Sequence, residues 1–271
     1  MEILGYFAAI LIGVSLGMVG SGGSILTVPV LVYLMGVSPS LATTCSLFIV
    51  GTTSLVGGLR AYSKDQVDFE SITEFGIPSI FSIFITRHYI LPSLPNTFFS
   101  IGSFVVNKDL FLMVVFAILM LLASFSMIKS QQNNLQINNP ERRKNNVWPL
   151  VFFGILIGIV TGLLGAGGGF LIIPTLVIFL RLPMKTAVGT SLLIIAINSL
   201  FGFLFSLKQF EYNWILLISF TALAIIGIFT GSALAEKISS EKLKKGFGWF
   251  ILAMGIYIII KEIFFPGNSA H

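Results

Sequence analysis

Two glycine-rich stretches carry the strongest chemical signal in this sequence. They read Gly20-Ser21-Gly22-Gly23-Ser24 and Gly165-Ala166-Gly167-Gly168-Gly169, each within an apolar segment. Consecutive glycines favour unwound backbone and let another chain or a ligand approach closely. A helix that restarts after such a break offers N–H groups without intrahelical acceptors, at the positive end of its dipole. We therefore predict that both breaks line one anion site, to which they contribute Ser21, Gly22, Gly23, Ser24, Ala166, Gly167, Gly168 and Gly169.

Polar residues after each break extend this predicted site. The candidates are Thr44, Cys45, Ser46, Thr190, Ser191 and Asn198. Hydroxyl groups could bind the oxygens of an anion, but Ser and Thr in apolar helices often bond their own backbone instead. For Cys45, the sole cysteine, the favoured interpretation is a small packing residue. Asn198 is the strongest single candidate, because an amide in apolar surroundings needs a partner.

Other chemistries lack the residues that they require. One cysteine and two histidines, His88 and His271, do not form a metal-binding pattern. The second glycine stretch lacks the Lys and Ser/Thr that follow a nucleotide-binding loop. We therefore predict no enzyme activity, no metal and no cofactor. Arg87, which ends the third apolar segment, is expected to snorkel to the outer membrane interface rather than neutralise an anion.

The elements that hold these residues are membrane segments. Of the 271 residues 55% are hydrophobic and only 10% are charged, and the mean hydropathy is +0.97. Such a chain cannot cover a water-facing surface, so its main partner is the lipid bilayer. The basic residues lie between apolar segments, which indicates orientation in a membrane and argues against nucleic-acid binding. The N-terminus has no basic region of a signal peptide and is read as the start of a mature helix.

The chain repeats itself with an offset of 145 residues and no gap. Five glycines of the first half, Gly13, Gly17, Gly20, Gly22 and Gly23, fall on Gly158, Gly162, Gly165, Gly167 and Gly168. Pro29 falls on Pro174, and Thr53-Ser54 falls on Asn198-Ser199. Chance would not align so many glycines in register, so we infer a duplication. The outer glycines at spacing four, such as Gly13 and Gly17, are assigned to close helix packing.

The orientation of the two copies depends on the path of each long first segment. If that segment folds back at its break, each copy has three net crossings and the copies are inverted. Twelve of the 16 Lys and Arg residues then lie on one side, and four, Arg87, Lys108, Lys208 and Lys261, on the other. If the segment spans once, the division is eight against eight, so the positive-inside rule favours folding back.

The predicted fold is therefore an all-α polytopic membrane protein with two inverted repeats. Each repeat has a re-entrant or broken helical hairpin and three transmembrane helices. The repeats occupy residues 1–128 and 147–263, with a cytoplasmic linker at 129–146 and a short extracytoplasmic tail at 264–271. Both termini are predicted outside a multi-pass protein of the cytoplasmic (inner) membrane.

These residues also resemble a known family. The stretch from Gly17 to Pro29 with Ala42–Ser46, and the stretch from Gly162 to Pro174 with Ala187–Ser191, are similar to the sulfite exporter (TauE/SafE) family. The segment from Gly231 to Ile238 fits the same family. The resemblance covers nearly the whole chain and implies a secondary transporter of small anions, chiefly sulfite, sulfonates or related sulfur compounds.

The expected function is thus the movement of a small anion by alternating access around the two breaks. A passive anion channel with the same lining, or a transporter of another small organic anion, is the alternative. The missing acid–base and metal-binding residue sets argue against a membrane enzyme. A structural or assembly protein would have little use for paired broken helices. The sequence leaves open the substrate, the direction, a coupling ion (proton or sodium) and a homo-oligomeric state.

Overall fold

The computed structural model describes residues 2–20, 23–95, 97–101, 104–129, 148–235 and 240–264. The chain is mostly helical. The first-half helices are α1 (Glu2–Val19), α2 (Ser24–Tyr33), α3 (Pro39–Tyr62), α4 (Phe69–Ile85), α5 (Leu91–Ser93) and α6 (Lys108–Lys129). The second-half helices are α7 (Trp148–Leu164), α8 (Gly169–Leu180), α9 (Met184–Ser206), α10 (Trp214–Ala235) and α11 (Ser240–Phe264). The predicted linker from residue 130 onward, and the tail from residue 265, lie outside the described residues.

Four helices are long and apolar enough to cross a membrane, by length and composition, within the described part of the chain. They are the stretches Pro39–Tyr62, Lys108–Phe125, Met184–Ser206 and Trp214–Leu234. The outer faces of the bundle expose large apolar side chains such as Phe7, Phe152 and Ile215, as expected of lipid-facing surfaces. The prediction of a helical multi-pass membrane protein agrees with this arrangement.

Each long first segment consists of two helices that fold back on each other. Met35, just beyond the end of α2, contacts Gly5 near the start of α1. Gly23, which precedes α2, packs against Ile12 of α1. In the second half Gly168, which precedes α8, contacts Ile157 of α7 in the same way. A straight helix would separate such residues by more than 15 Å at about 1.5 Å per residue, so the chain reverses at each break.

Glycines let the first helix of each hairpin lie close against a helix of the other half. A Cβ added at Gly13 would collide with the carbonyl oxygen of Ala224 in α10. The repeat counterpart of this contact is present, because a Cβ at Gly158 would lie 2.5 Å from the carbonyl oxygen of Ser79 in α4. The packing role predicted for these outer glycines is confirmed, and the two halves make matching contacts at the offset of the sequence repeat.

The helices α3 and α9 cross at the centre of the molecule and run antiparallel. Gly51 of α3 packs against Leu200 of α9, and Gly58 packs against Leu193. The residue numbers therefore rise along one helix as they fall along the other. These two helices are repeat counterparts, so a feature at one end of α3 has its counterpart at the opposite end of the pair.

Two features of the first half differ from the all-α prediction. The stretch after α5 forms a two-stranded antiparallel hairpin, β1 (Thr97–Ile101) and β2 (Phe104–Asn107). Its Phe and Val residues favour strands over helices, and the strands are only five and four residues long. In addition, α4 continues directly into a π-helical turn, Thr86–Ile90, which carries Arg87.

The close contact between α1 and α10 yields a stability prediction. Gly13→Leu should lower the free energy of unfolding by roughly 3 kcal/mol or prevent folding, because the added side chain meets backbone that cannot move aside. Gly246→Leu is the matched control, since no atom lies within 4 Å of a Cβ at that position in α11. Denaturant unfolding in mixed micelles would measure both variants, and equal stability of the two would contradict the packing described for Gly13.

Candidate functional site

The second break is a left-handed turn pressed against α3. Gly165, Gly167 and Gly168 have φ angles of 69°, 66° and 66°, a region that glycine adopts without strain. The hydroxyl of Ser46 in α3 donates a hydrogen bond to the carbonyl oxygen of Gly165, at 2.9 Å. The break and Ser46, both predicted site elements, are therefore brought together.

The break also meets the central crossing of α3 and α9. A Cβ added at Gly167 would lie 3.1 Å from Val50 of α3 and 3.4 Å from the hydroxyl oxygen of Ser199 in α9. Ala166 is 2% exposed, and Gly169, the first residue of α8, is buried. The backbone of this break is thus enclosed by protein, as non-helical backbone in a membrane must be.

Four polar side chains at the crossing have groups without partners. Thr53 and Ser54 of α3 and Asn198 and Ser199 of α9 are all fully buried. The hydroxyls of Thr53, Ser54 and Ser199 and the amide nitrogen of Asn198 lack hydrogen-bond partners. An unsatisfied buried polar group costs about 1–3 kcal/mol, so this cluster of donors is suited to hold water or the oxygens of a ligand.

Asn198 of α9 is held by a hydrogen bond from α4. Its side-chain oxygen accepts a hydrogen bond from the hydroxyl of Ser79 in α4, at 2.8 Å. That bond leaves the amide N–H groups as the unused donors. The Ser79 hydroxyl also lies within hydrogen-bond distance of the carbonyl oxygen of Gly76 in α4, which restricts the orientation of its side chain.

Arg87 does not snorkel to an interface, so that expectation is wrong. Its side chain is 0% exposed and is the largest of the fully buried side chains. The π-helical turn redirects the chain beyond α4 and points Arg87 towards α3 and α9. Gln209, in the loop after α9, donates to the backbone carbonyl oxygen of Arg87 at 3.3 Å and helps to hold the turn.

The Arg87 guanidinium has fewer partners than its five N–H groups require. Its Nη1 donates to the hydroxyl of Thr44 at 2.8 Å and lies 3.4 Å from the hydroxyl of Ser206. Its Nε and Nη2 have no partner, and no carboxylate of the described residues pairs with it. A guanidinium stays charged in proteins, and a buried charge is stable only when paired and hydrogen-bonded. The site therefore has a positive charge and two directed donors that an anion would satisfy.

The remaining predicted residues have other partners or lie elsewhere. The Thr190 hydroxyl accepts from the backbone N–H of Asp68 at 2.9 Å, and Ser191 donates to Val188 of its own helix. Cys45 is 3% exposed and belongs to the apolar core, which agrees with its packing role. At the first break Ser24 is buried at the start of α2, whereas Ser21 and Gly22 lie outside the described residues.

A cavity of about 100 Å³ opens at the other end of the α3–α9 pair. Its polar lining includes Arg60, Lys64 and Gln66 from the end of α3 and the following loop, Lys185 from the start of α9, and Ser232 from α10, and Gly189 also lines it. The Arg60 guanidinium donates to the hydroxyl of Ser232 at 2.6 Å and lies over the ring of Phe229 at 5.8 Å. Nothing in the sequence predicted this cavity.

The bond between Arg87 and Thr44 yields a prediction with a matched control. Thr44→Val should lower the free energy of unfolding by about 2 kcal/mol, because it removes the best acceptor of a buried charged group. Thr43→Val is the control, since Thr43 is also buried but its hydroxyl bonds the carbonyl oxygen of Ser40 in its own helix, at 2.8 Å. Chemical unfolding in detergent would compare them, and an equal loss in both variants would contradict the role given to Thr44.

Comparisons with known proteins give one consistent result. The sequence profile described as "Sulfite exporter TauE/SafE" matches residues 5–258. A probable membrane transporter protein of Xylella fastidiosa (strain Temecula1) is 29% identical over 92% of this chain and 91% of its own length. The probable membrane transporter protein YunE of Bacillus subtilis is 24% identical over 96% of this chain and 100% of its own. These relatives are named as transporters and not as enzymes, and no solved structure matches.

Proposed function

The chain belongs to the sulfite exporter TauE/SafE family of membrane proteins, and from that premise we propose that it is a secondary transporter of a small oxyanion. The substrate class proposed is sulfite or a small organosulfonate-type anion. It would be carried across the cytoplasmic membrane by alternating access, without covalent chemistry. The family membership supports transport, and the described site supports the charge of the substrate.

The buried Arg87 is the observation that best supports an anionic substrate. A full positive charge with two unused donors, Nε and Nη2, is costly in an apolar bundle. An apolar residue at position 87 would avoid that cost, so we interpret the charge as functional. The planar guanidinium matches two oxygens of a sulfite or sulfonate group, as it does for carboxylate and phosphate.

The unpartnered groups at the crossing support a polar path for the same anion. Thr53, Ser54, Asn198 and Ser199 lie near the middle of the α3–α9 pair, and Thr44 lies towards one of its ends. An oxyanion leaving Arg87 would meet hydroxyl and amide donors there. No acidic side chain is present in this cluster, so cations find no charge partner among these described residues.

Two observations support inverted repeats, which the mechanism requires. Repeat counterparts in parallel copies would run in the same direction, whereas α3 and α9 run antiparallel at their crossing. In addition, the contacts of Gly23 with Ile12 and of Gly168 with Ile157 give each first segment the reversal that three net crossings would require. Inverted copies built on broken helices, with the site at their interface, are a common transporter construction.

A passive channel is the second candidate, with the same lining. The paired breaks favour a carrier, because broken helices at a repeat interface are a common construction of secondary transporters. Saturable counter-flow of labelled anion would identify a carrier, and large single-channel currents would identify a channel.

The substrate proposal predicts transport by the purified protein in liposomes. The panel would contain sulfite, thiosulfate, short sulfonates and carboxylates, each with and without a proton or sodium gradient. At least one sulfur oxyanion should show saturable flux. Arg87→Gln should reduce that flux by about 100-fold, which corresponds to the loss of a charged hydrogen-bonded contact of roughly 3 kcal/mol. Arg87→Lys should keep part of the flux, since it keeps the charge.

Controls separate loss of transport from loss of folding. Thr221→Val removes a hydroxyl that bonds the backbone of its own helix in the described structure, so its flux should equal that of the wild type. All variants should elute as the same species in gel filtration. Full sulfur-oxyanion flux in well-folded Arg87→Gln protein, or selective flux of cations, would contradict the proposal.

The inverted topology makes a separate prediction about sidedness. Epitope tags at both termini should be accessible from outside intact cells, and a tag inserted between residues 130 and 146 should become accessible only after permeabilisation. The physical reason is the distribution of Lys and Arg, which favours the cytoplasmic side. Termini on opposite sides of the membrane would exclude three net crossings in each copy.

A further inference from the structure

The cavity beside Arg60 lies at repeat-counterpart positions to the buried Arg87 site. Residues of the Arg87 site are Thr44, Arg87 and Ser206. Adding the offset of 145 to Thr44 and Arg87, and subtracting it from Ser206, gives Gly189, Ser232 and Ala61. All three of these counterparts line the cavity at the other end of the α3–α9 pair.

Both the Arg87 site and the cavity contain a guanidinium, but the two arginines come from helices that are not repeat counterparts. Arg87 follows α4 and reaches the pair at Thr44 and Ser206. Arg60 belongs to α3 itself, but its guanidinium reaches Ser232, which stands at the repeat position of Arg87. The sequence repeat alone does not show this correspondence, because the counterpart of Arg60 is Phe205.

We infer that the cavity of Arg60, Lys185 and Ser232 is a second binding site for a small oxyanion, open in this structure while the Arg87 site is closed. This inference rests on the proposed function, since it gives the transported anion a place to bind before it reaches the crossing. The ligand class is a singly or doubly charged oxyanion of a few heavy atoms, set by the volume of about 100 Å³.

Charge and donors support this ligand class. Arg60 and Lys185 supply positive charge, Ser232 supplies a hydroxyl, and no carboxylate is among the described residues that line the cavity. Arg60 is only partly buried, so its remaining N–H groups can meet an anion that enters from solvent. A cleft with one sign of charge concentrates counter-ions, and guanidinium is the side chain best suited to hold an oxyanion through two bonds.

The Arg87 site is filled and the Arg60 cavity is open, which agrees with one state of an alternating-access cycle. At the Arg87 end the bulk of Ser206, Thr44 and the arginine fills the space. At the Arg60 end Ala61 and Ser232, the counterparts of Ser206 and Arg87, are smaller, and space remains. In the proposed topology the open cavity faces the cytoplasm, because Arg60 and Lys185 lie on the side richer in basic residues.

Cysteine labelling of the purified full-length protein tests the inference. In a Cys45→Ala background, Gln66→Cys would place one thiol in the cavity lining. Its reaction rates with an anionic (sulfonatoethyl) and a cationic (trimethylammonioethyl) methanethiosulfonate would be compared. The anionic reagent should react faster, and the anion-to-cation rate ratio should fall at least about fivefold in Arg60→Gln and recover in Arg60→Lys.

Sodium sulfate serves as the probe of binding. It should slow labelling of Gln66→Cys by the anionic reagent about fivefold more than sodium gluconate of equal ionic strength, which controls for screening. The protection should be absent in Arg60→Gln. Glu211→Cys, at the repeat counterpart of Gln66, is the control position, where Arg60→Gln should leave the rate ratio unchanged.

The labelling results distinguish failure of this inference from failure of the proposed transport function. A rate ratio that does not depend on Arg60 overturns the inference, and so does a dependence on Arg60 without protection by sulfate. If Arg60→Gln is normal in labelling and in sulfite flux while Arg87→Gln does not transport, only this inference fails. If labelling and protection behave as expected but no anion is transported, only the proposed function fails.

Discussion

The guanidinium of Arg87 carries a full charge at a place from which solvent is excluded. Its contacts join three parts of the chain, because the residue follows α4, bonds Thr44 in α3 and lies beside Ser206 in α9. Two of its nitrogens have no protein partner. In the proposed function the surrounding helices either retain an anion or move so that one can enter, and both events concern the same crossing of α3 and α9.

The glycines make that crossing possible. Contacts at Gly51 and Gly58 let α3 and α9 approach each other closely, and contacts at Gly13 and Gly158 fix a helix of each hairpin against the opposite half. The hairpins then bring a break, with its left-handed glycines, to the side of the crossing. In the proposed cycle two closely packed helix pairs, α1 with α10 and α7 with α4, would each move as a unit past the central α3–α9 pair. Their backbones are too closely packed for the two helices of a pair to slide separately.

Much of this arrangement could be predicted from the sequence, and the reasons for the exceptions are physical. The repeat, the breaks and the packing glycines are visible because glycine has a strong and local effect on backbone. Arg87 was misjudged because an arginine at the end of an apolar segment has the same local pattern whether it snorkels or is buried. The outcome depends on the π-helical turn and on Ser206, which lies 119 residues away in the sequence. The hairpin Thr97–Asn107 has a strand-like composition of Phe and Val, which a search for apolar helices overlooks.

The cavity beside Arg60 was beyond sequence analysis for a different reason. The repeat relates the two ends of the α3–α9 pair, but it cannot say which end is open. Nor does the repeat show that the guanidinium of Arg60 reaches Ser232, the counterpart of Arg87. That contact depends on the length and direction of the Arg60 side chain and not on its position in the repeat. Asn198 is an intermediate case, because its burial was expected while its bond to Ser79 was not.

The central claim is that the charge of Arg87 is compensated by an anionic substrate. The most direct measurement is the unfolding midpoint of the purified protein during titration with sulfite, thiosulfate and short sulfonates, each against sodium chloride of equal ionic strength. A ligand at 100 times its Kd should add about 2.7 kcal/mol to the free energy of unfolding of the wild type. The account predicts that at least one of these anions stabilises the wild type clearly more than it stabilises Arg87→Gln, in which the Arg60 cavity is unchanged. If every anion of the panel stabilises the two proteins equally, or none stabilises the wild type, the claim is contradicted.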